Sequence, residues 1–326
     1  MTQTVLLAGS GGVGKTATSA ALGLSFAERG LRTLVLTVDP ARRLSDSLAL
    51  DADASVPMKT GISNLWVWMP KAEDEFPRLI REMLRNPDPF LENPVTEALL
   101  AAPAGVHEIA VALRLGTYAD SFDVLVIDTA PHQHALDFLD TPNTVRQLLR
   151  RRSLSFLSAF GGLGANIPFH RTIDIAVQRI LPLDVIRAGA RFFAEIANVG
   201  PALVRRAEQA ERLIAAARFV LVSDTSEAGV NGAARLDELL RSRGTPPHAT
   251  ILNRMHAPVA LPPHDSPLRD ELMRHQANAA RARKRFPDAL ALPRVADTSS
   301  VPAALAARLQ RLSLSLVNPR GERLVS

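Results

Sequence analysis

Short apolar runs alternate with longer stretches of helical periodicity along much of the chain. The strand-like runs, each ending in a turn or a polar residue, are Val5–Ala8, Thr33–Val38, Val124–Ile127, Phe219–Val222 and Thr250–Leu252. Two of the intervening stretches, Thr16–Arg29 and Ala233–Arg243, have helical spacing, and Gly244 follows the second as a stop signal. Strands rich in Val, Leu and Ile that alternate with helices predict an α/β fold, with a mostly parallel sheet flanked by helices.

Two long segments do not follow this alternation. The residues of Asn64–Leu115 and Pro142–Arg218 have a helical pattern with Pro and Gly breaks, and they flank the run that ends at Asp128. We therefore predict a single domain over residues 1–326, with a helical subdomain formed by insertions at about 64–115 and 142–218. Inside the second insertion, Ser153–Gly164 is apolar but rich in glycine, so a mobile loop, a short amphipathic element and a core helix all stay open.

A glycine-rich motif lies between the first predicted strand and the first predicted helix. Gly9–Thr16 reads GSGGVGKT and matches the P-loop pattern G-x-x-x-x-G-K-[ST]. Its glycines let backbone N–H groups curl around phosphates, and the following helix N-terminus adds partial positive charge. The motif predicts ATP or ADP and Mg²⁺ as cofactors, with Lys15 on the β- and γ-phosphates and the Thr16 hydroxyl on magnesium. The residues expected to contact the nucleotide here are Gly11, Gly12, Val13, Gly14, Lys15, Thr16 and Ala17.

Two carboxylates follow predicted strands that end at the same edge of the sheet. Asp128 comes directly after Val124–Ile127, which is the Walker B arrangement and orients the acid towards the magnesium shell. Asp39 ends the run Thr33–Val38 and precedes a proline, so it also fits the N-cap of a helix. On its own, this local pattern favours the N-cap.

Composition excludes several kinds of site. The chain has 47% apolar residues, enough for one large α/β core, and it contains 0 Cys. Without cysteine there is no disulfide framework, no Cys-ligated zinc or iron–sulfur cluster and no thiol nucleophile. The sequence shows no signal-peptide pattern before its first strand and no apolar run of about 20 residues, so we expect a cytoplasmic protein.

The charged residues give a weaker signal. The formal net charge is +5, and basic clusters occur at Arg146–Arg152 and Arg281–Arg285. These clusters fit solvated helix faces, with an anionic partner as the alternative. Aromatic residues make up 5% of the chain and do not interleave with the basic clusters, so no nucleic-acid partner is expected.

Three ordered motifs carry a resemblance to a known family. GSGGVGKT, LTVDPARRLSDSL and VIDTAPHQHALDFLDTP are similar to segments of the arsenite-efflux ATPase family, which includes the targeting ATPase for tail-anchored membrane proteins. PAGVHE at 103–108, FVLVSDTSEAGV at 219–230 and ATILNRM at 249–255 extend the resemblance over most of the chain. It implies a magnesium-dependent ATPase in which two P-loops face each other across a homodimer or heterodimer. Opening and closing of that dimer would handle a client protein or membrane-protein segment.

The resemblance also implies roles for individual residues. Asp39 would be a switch I acid that orients the attacking water beside magnesium, and Asp46 would belong to the same switch. Asp128 would begin switch II, with residues 129–131 forming its turn. Asn253 would bond the adenine, although an ordinary strand-end asparagine in a turn is the alternative.

One departure from the family bears on catalysis. Family members usually carry a second P-loop lysine where this chain has Ser10, and that lysine stabilises charge on the partner's nucleotide. A positive charge supplied by the partner subunit raises the rate of hydrolysis roughly 10³- to 10⁵-fold in comparable enzymes. A homodimer should therefore be a slow ATPase unless Arg42 or Arg43 substitutes, and surface solvation is the alternative for both. The second functional hypothesis is a poorly hydrolysing ATP-binding scaffold that pairs with a related subunit supplying the missing lysine.

Other departures concern the switch and the client. His132 and Gln133 stand where the family tends to have Thr-Gly, which restricts the predicted turn. Because the chain lacks thiolates, we expect neither metalloid binding nor the zinc clamp of the eukaryotic targeting factor. The apolar stretches Leu154–Leu163 and Ile180–Ile196 could offer a groove to a hydrophobic client, and the core of the helical subdomain is the alternative.

Overall fold

The computed structural model describes residues 2–37, 55–100, 106–129, 183–256, 268–295 and 301–317. Its internal contacts divide the chain into two units. The sheet unit comprises Met1–Pro70, Ala119–Asp137 and Leu213–Ser326, and the helical unit comprises Lys71–Tyr118 and Phe138–Arg212.

The described part of the sheet unit contains one mostly parallel sheet. Its strands are β1 (Gln3–Ala8), β2 (Thr33–Thr37), β3 (Met58–Lys59), β4 (Leu65–Trp68), β5 (Val124–Asp128), β6 (Arg218–Ser223), β7 (Ala249–Met255) and β8 (Leu290–Pro293). They follow the order β3-β4-β2-β5-β1-β6-β7-β8, and β3 alone among them runs antiparallel to its neighbour. β1, β2 and β5 are almost completely buried and mostly apolar, with Gln3 at the start of β1 and Asp128 at the end of β5, as expected for strands covered on both faces. The predicted parallel α/β sheet is therefore confirmed.

The described helices fall in both units. In chain order they are α1 (Lys15–Glu28), α2 (Ala72–Met83), α3 (Asp88–Leu91), α4 (Pro94–Leu100), α5 (Val106–Tyr118), α6 (Leu183–Ala215), α7 (Glu227–Ser242), α8 (Arg269–Arg285) and α9 (Val301–Leu316).

Helix α1, which begins at the P-loop lysine, is held against the last described helix. Phe26 of α1 and Leu309 of α9 are both fully buried in the same core cluster as the central strands. Ser25 Oγ donates to Ser313 Oγ at 3.1 Å, and the Arg29 guanidinium donates to the backbone oxygens of Ser313 and Val317 at 2.7 and 3.0 Å. Arg29 thus caps the C-terminal end of α9, sharing the Ser313 oxygen with the Val317 N–H and holding the Val317 oxygen itself.

The helical unit has its own apolar core. Phe76, Phe90 and Phe192 lie in one buried cluster, and the rings of Phe90 and Phe192 stack with centroids 5.2 Å apart. Partly buried Ile196 packs against this cluster. The described part of the apolar stretch Ile180–Ile196 therefore supplies core contacts at Phe192 and Ile196, as the core alternative expected.

A buried ionic group connects helices of the same unit. The Arg114 side chain is 3% exposed, and its Nε lies 2.6 Å from Oε2 of Glu75, whose side chain is 0% exposed. Arg114 also pairs with Glu82 and donates to the Tyr118 hydroxyl at 2.5 Å. Burial is the largest influence on the Glu75 carboxyl and raises its pKa, while Arg114 opposes that rise. The pair joins α2 to α5 with both charges removed from water.

Several elements differ from the sequence-based expectations. The helical pattern expected from residue 64 is wrong at its start, because Leu65–Trp68 forms β4 and the first helix of that segment begins at Ala72. A four-residue apolar run such as this one has too few positions to separate a strand from a helix. β8 and helices α8 and α9 were not predicted, although α8 contains the Arg281–Arg285 cluster. The helical subdomain from about 64–115 and 142–218 stays a prediction, since much of its second segment lies outside the described residues.

Within the part of the chain that the structure describes, we find no helix that is both long and apolar enough to traverse a bilayer.

Candidate phosphate and magnesium site

The loop between β1 and α1 adopts a backbone that requires glycine. Gly12 and Gly14 have φ angles of 80° and 91°, in the left-handed region that side-chain-bearing residues rarely occupy. A Cβ on Gly14 would also lie 2.2 Å from Nδ2 of Asn253, and one on Gly9 would lie 2.1 Å from the Val222 oxygen. The glycines therefore permit both the curl of the loop and its close approach to neighbouring strands.

Lys15 begins α1 and turns its side chain back over the loop. The residue is 8% exposed, and its Nζ donates to the Gly9 oxygen at 3.0 Å and to the Ser10 oxygen at 2.9 Å. The ammonium group is thus held beside the loop backbone at the N-terminus of a 14-residue helix. Helix N-termini and ammonium groups both favour phosphate, so charge and geometry coincide at this point.

Asp128 lies at the carboxyl end of β5 and accepts two hydroxyl hydrogen bonds on one oxygen. Thr16 Oγ1 donates to Asp128 Oδ2 at 2.6 Å, and Thr37 Oγ1 donates to the same oxygen at 3.2 Å. Asp128 is 1% exposed, and the neighbouring Thr129 hydroxyl donates to the Leu7 oxygen at 2.8 Å. Hard oxygen donors of this kind, one hydroxyl and one carboxylate in contact, suit Mg²⁺. The donor set therefore fits a magnesium ion on the Thr16 hydroxyl, with Asp128 beside it.

The end of β7 contacts the same loop from another side. Asn253, 4% exposed, donates from Nδ2 to the Val13 oxygen at 2.9 Å. The next residue, Arg254, donates from its guanidinium to the Gly12 oxygen at 2.6 Å. Arg254 has a φ angle of 55°, which places a side-chain-bearing residue in the left-handed region.

A cavity of about 820 Å³ opens beside the loop within the sheet unit. Three residues predicted to contact the nucleotide line it, namely Gly14, Ala17 and Asn253. The opposite wall comes from α8, β8 and α9, through residues that include His275, Pro293 and Leu305. A cavity of this size is within the range of small-molecule sites. It therefore leaves room for a nucleoside next to the phosphate loop.

Two histidines, two arginines and the carboxylate of Asp224 lie among the residues that line this cavity. The rings of His256 and His275 have centroids 4.6 Å apart, and Arg254 and Arg294 also line the cavity. The pKa of His256 lies below its usual value, chiefly because burial disfavours the charged form and then because His275 and Arg294 are nearby. His256 should consequently be neutral at pH 7.

Ser10 is directed into the protein rather than towards solvent. The residue is 8% exposed, and its Oγ donates weakly to the Ala228 oxygen of α7 at 3.5 Å. A Cβ on Gly232 of the same helix would lie 1.9 Å from that Oγ. Position 10 is therefore packed closely against α7.

The structure brings together some of the predicted site residues. Lys15, Thr16, Asp128 and Asn253 lie around the loop, whereas Asp39 is outside the described residues. Also outside them are Asp46, Arg42, Arg43, His132, Gln133, residues 130–131 and the stretch Leu154–Leu163.

Two residues that contact the site, Thr37 and Arg254, are not predicted from the sequence. Thr37 was treated as part of a strand, although a polar residue at the carboxyl end of a parallel strand was a usable signal. Arg254 gave no local signal, because its contact depends on the left-handed backbone at the end of β7.

The sequence is similar to those of known ATPases. A family model described as anion-transporting ATPase matches residues 2–254. ATPase ASNA1 homolog 1 of Paramecium tetraurelia is 31% identical over 155 residues, which are 45% of this chain and 46% of the relative. ATPase GET3C of Arabidopsis thaliana is 27% identical over 282 residues, 77% of this chain and 66% of the relative.

A putative arsenical pump-driving ATPase of Prosthecochloris vibrioformis is 26% identical over 227 residues, 68% of this chain and 55% of that protein. The alignment thus spans a little under half of the length of the Paramecium relative and more of the other two. Since the family model covers most of the sequence, and its P-loop and Walker B residues meet in the structure, the chain belongs to the anion-transporting ATPase family.

Proposed function

We propose that this chain binds ATP with Mg²⁺ at the loop Gly9–Thr16 and hydrolyses it. The observation that supports this most directly is the 2.6 Å hydrogen bond from Thr16 to Asp128 beside the loop that carries Lys15. A phosphate-binding backbone, a cation and a magnesium-type donor set then lie at one edge of the sheet, where ligands of parallel α/β folds bind.

Each group has a defined task in this proposal. Lys15 exchanges its two backbone carbonyl acceptors for β- and γ-phosphate oxygens when nucleotide enters. Thr16 offers a hydroxyl lone pair to magnesium while its proton stays donated to Asp128, which fixes the direction of that lone pair. Magnesium, when bound, neutralises charge on the β- and γ-oxygens. The backbone N–H groups of residues 11–16 and the side of Ala17 complete the contacts to the nucleotide.

The finer parts of the proposal rest on the family resemblance. Asp39 orients the attacking water beside magnesium, and the residues from Asp128 onward couple hydrolysis to movement of the inserted helical subdomain. Two chains, identical or related, bind face to face in the cytoplasm and handle a hydrophobic or membrane-protein client. Because Phe192 and Ile196 already pack in the core of the helical unit, a client surface would have to use other residues.

The proposed hydrolysis is tested with Asp39→Asn. Water-positioning and general-base groups typically contribute 10²- to 10⁴-fold, so turnover of ATP should fall at least about 100-fold. Affinity for Mg-ATP should change little, because the substitution is nearly isosteric and leaves the loop intact. Single-turnover hydrolysis and equilibrium titration separate the two effects. Unchanged turnover would remove Asp39 from this role.

A poorly hydrolysing scaffold is the second candidate, and the burial of Ser10 against α7 favours it. A serine in that position cannot extend a charge to a partner's nucleotide. Turnover should be compared among wild type, Ser10→Lys and Ser10→Met, which matches lysine in length without its charge. A rise in the lysine variant alone supports the scaffold. Wild-type turnover as fast as that of Ser10→Lys would instead support a self-sufficient ATPase.

The assembly is tested separately from the chemistry. Light scattering of the protein with Mg-ATP, Mg-ADP and no nucleotide should show a dimer whose population depends on the nucleotide. Co-purification from the native host should recover either this chain alone or a related P-loop subunit. A monomer under all three conditions, with no second P-loop protein, would exclude the dimer proposal.

A further inference from the structure

The P-loop is contacted by two consecutive residues at the end of β7, and this pair suggests a role beyond nucleobase contact. Asn253 and Arg254 donate to two consecutive carbonyl oxygens of the loop, those of Val13 and Gly12 respectively. In a regular strand, consecutive side chains point to opposite faces of the sheet. Here both side chains contact the same loop.

A local irregularity in β7 explains how this is possible. Leu252 pairs with Ala291 and Met255 with Pro293, so β7 uses one more residue than β8 between these pairs. That extra residue is the mark of a β-bulge, which redirects side chains. Arg254, within the bulge, has the left-handed φ of 55°. A left-handed arginine costs conformational free energy, and the structure compensates with the contact to Gly12.

The planar trans peptide bond gives this contact a consequence for phosphate binding. In such a bond the C=O of one residue and the N–H of the next point in opposite directions. Because Arg254 holds the Gly12 oxygen, the Val13 N–H points away from β7. Because Asn253 holds the Val13 oxygen, the Gly14 N–H does the same. Two amides of the predicted phosphate cradle are thus oriented by contacts within the chain.

We propose that Asn253 and Arg254 are positioning residues that brace the P-loop in its phosphate-binding form. The 2.9 and 2.6 Å contacts, the near-complete burial of Asn253 and the bulge all support this brace. The fit between Asn253 and Gly14 is so close that a single added Cβ would overlap the amide. The inference rests on the proposed nucleotide site but concerns the loop without ligand.

The test measures hydrogen exchange of the loop amides in the nucleotide-free protein. Asn253→Ala removes one brace, and Arg254→Gly removes the other while keeping a residue that tolerates positive φ. Each lost hydrogen bond should speed exchange of a peptide covering residues 9–18 by about two- to tenfold, and the double variant by about 4- to 100-fold. Asn198→Ala and Arg241→Ala are matched controls, since Asn198 and Arg241 donate to Glu195 and Asp237 instead of the loop. Both should exchange as wild type does.

A second arm compares ligands. A brace predicts that Arg254→Gly weakens binding of Mg-ATP, Mg-GTP and inorganic tripolyphosphate by the same factor, with the last measured by competition against labelled nucleotide. Loop exchange at the wild-type rate in both brace variants would overturn the proposal. If the wild type failed to bind Mg-ATP, the proposed function would be wrong. The exchange comparison would still show whether Asn253 and Arg254 hold the loop.

Discussion

Buried charged groups occur in both units of this protein, but they are satisfied in different ways. In the helical unit, Arg114 and Glu75 neutralise each other through a 2.6 Å ion pair with both side chains almost fully buried. In the sheet unit, Lys15 donates to backbone carbonyls and Asp128 accepts from the hydroxyls of Thr16 and Thr37. A neutral dipole can be exchanged for a phosphate oxygen or a metal ion, whereas a buried counter-charge cannot be released cheaply.

This difference separates a structural use of charge from one suited to ligand binding. The Arg114 pair should matter for the stability of the helical unit and have little effect on nucleotide affinity. Substitution of Lys15 or Asp128 should lower nucleotide affinity and have little effect on the stability of the helical unit.

The largest effect is expected from Arg114→Met, which removes the buried arginine beside Glu75 and leaves that buried carboxylate only the more exposed Arg78 as a partner. Loss of one member of a buried pair costs about 3–5 kcal/mol in the free energy of unfolding. Chemical denaturation should detect this, and the double variant Glu75→Gln/Arg114→Met should recover much of the loss. A cost below about 1 kcal/mol would mean that the pair is not structural.

The loss of stability in Arg114→Met should depend on pH in a defined direction. Burial raises the pKa of Glu75 in the folded protein, so its neutral form is favoured there relative to the unfolded chain. Stability contributed by that preference is present below the unfolded pKa and is lost as pH rises through the folded pKa. The penalty of Arg114→Met should therefore shrink as the pH is lowered through the acidic range. The Glu75→Gln background should not show this trend.

A smaller effect is expected from Gly14→Ala in the phosphate loop. The left-handed backbone costs a residue with a Cβ about 1–2 kcal/mol, and the added carbon would also overlap Asn253. Affinity for Mg-ATP should fall at least about tenfold in equilibrium titration. Gly244→Ala is a matched control, because it has a φ of 74° but no atom within 4 Å of an added Cβ. It should lower stability slightly and leave affinity unchanged, and equal losses from both variants would contradict the site.

The smallest effect is expected from Thr37→Val, which removes one of the two hydroxyl donors to Asp128. A net hydrogen bond is worth about 0.5–1.5 kcal/mol, so the Mg²⁺ concentration for half-maximal nucleotide binding should rise about two- to tenfold. Thr37→Ser keeps the hydroxyl and should behave as wild type. If valine and serine gave the same magnesium dependence, Thr37 would have no part in the site.

The sequence predicted the sheet and loop where local signals were strong. The apolar runs before Gly9 and Asp128 form β1 and β5, and the motif between β1 and α1 leaves little choice of conformation. The short β4 and the proline-ended β8 gave weak signals, because four residues show no useful periodicity. Proline is tolerated at a sheet edge, which is where β8 lies.

The site itself was predictable only in part. Lys15, Thr16 and Asp128 follow from motif and strand position, since the carboxyl ends of parallel strands lie at one edge. The contacts of Arg254 and Ser10 depend on tertiary packing against residues 242 and 218 positions away along the chain. No local pattern encodes such contacts. The wall formed by α8, β8 and α9 was missed for the same reason.

The loop around Lys15 is expected to bind the phosphates of a magnesium nucleotide. Titration calorimetry of wild type, Lys15→Ala and the control Lys59→Ala with Mg-ATP measures this directly, and Lys59 lies on β3 over the Trp66 ring. Wild type and the control should bind with equal affinity, while loss of charge-assisted bonds to two phosphates should weaken Lys15→Ala at least about 100-fold. Absence of binding heat and of thermal protection in the wild type, or equal affinity in all three proteins, would contradict the account.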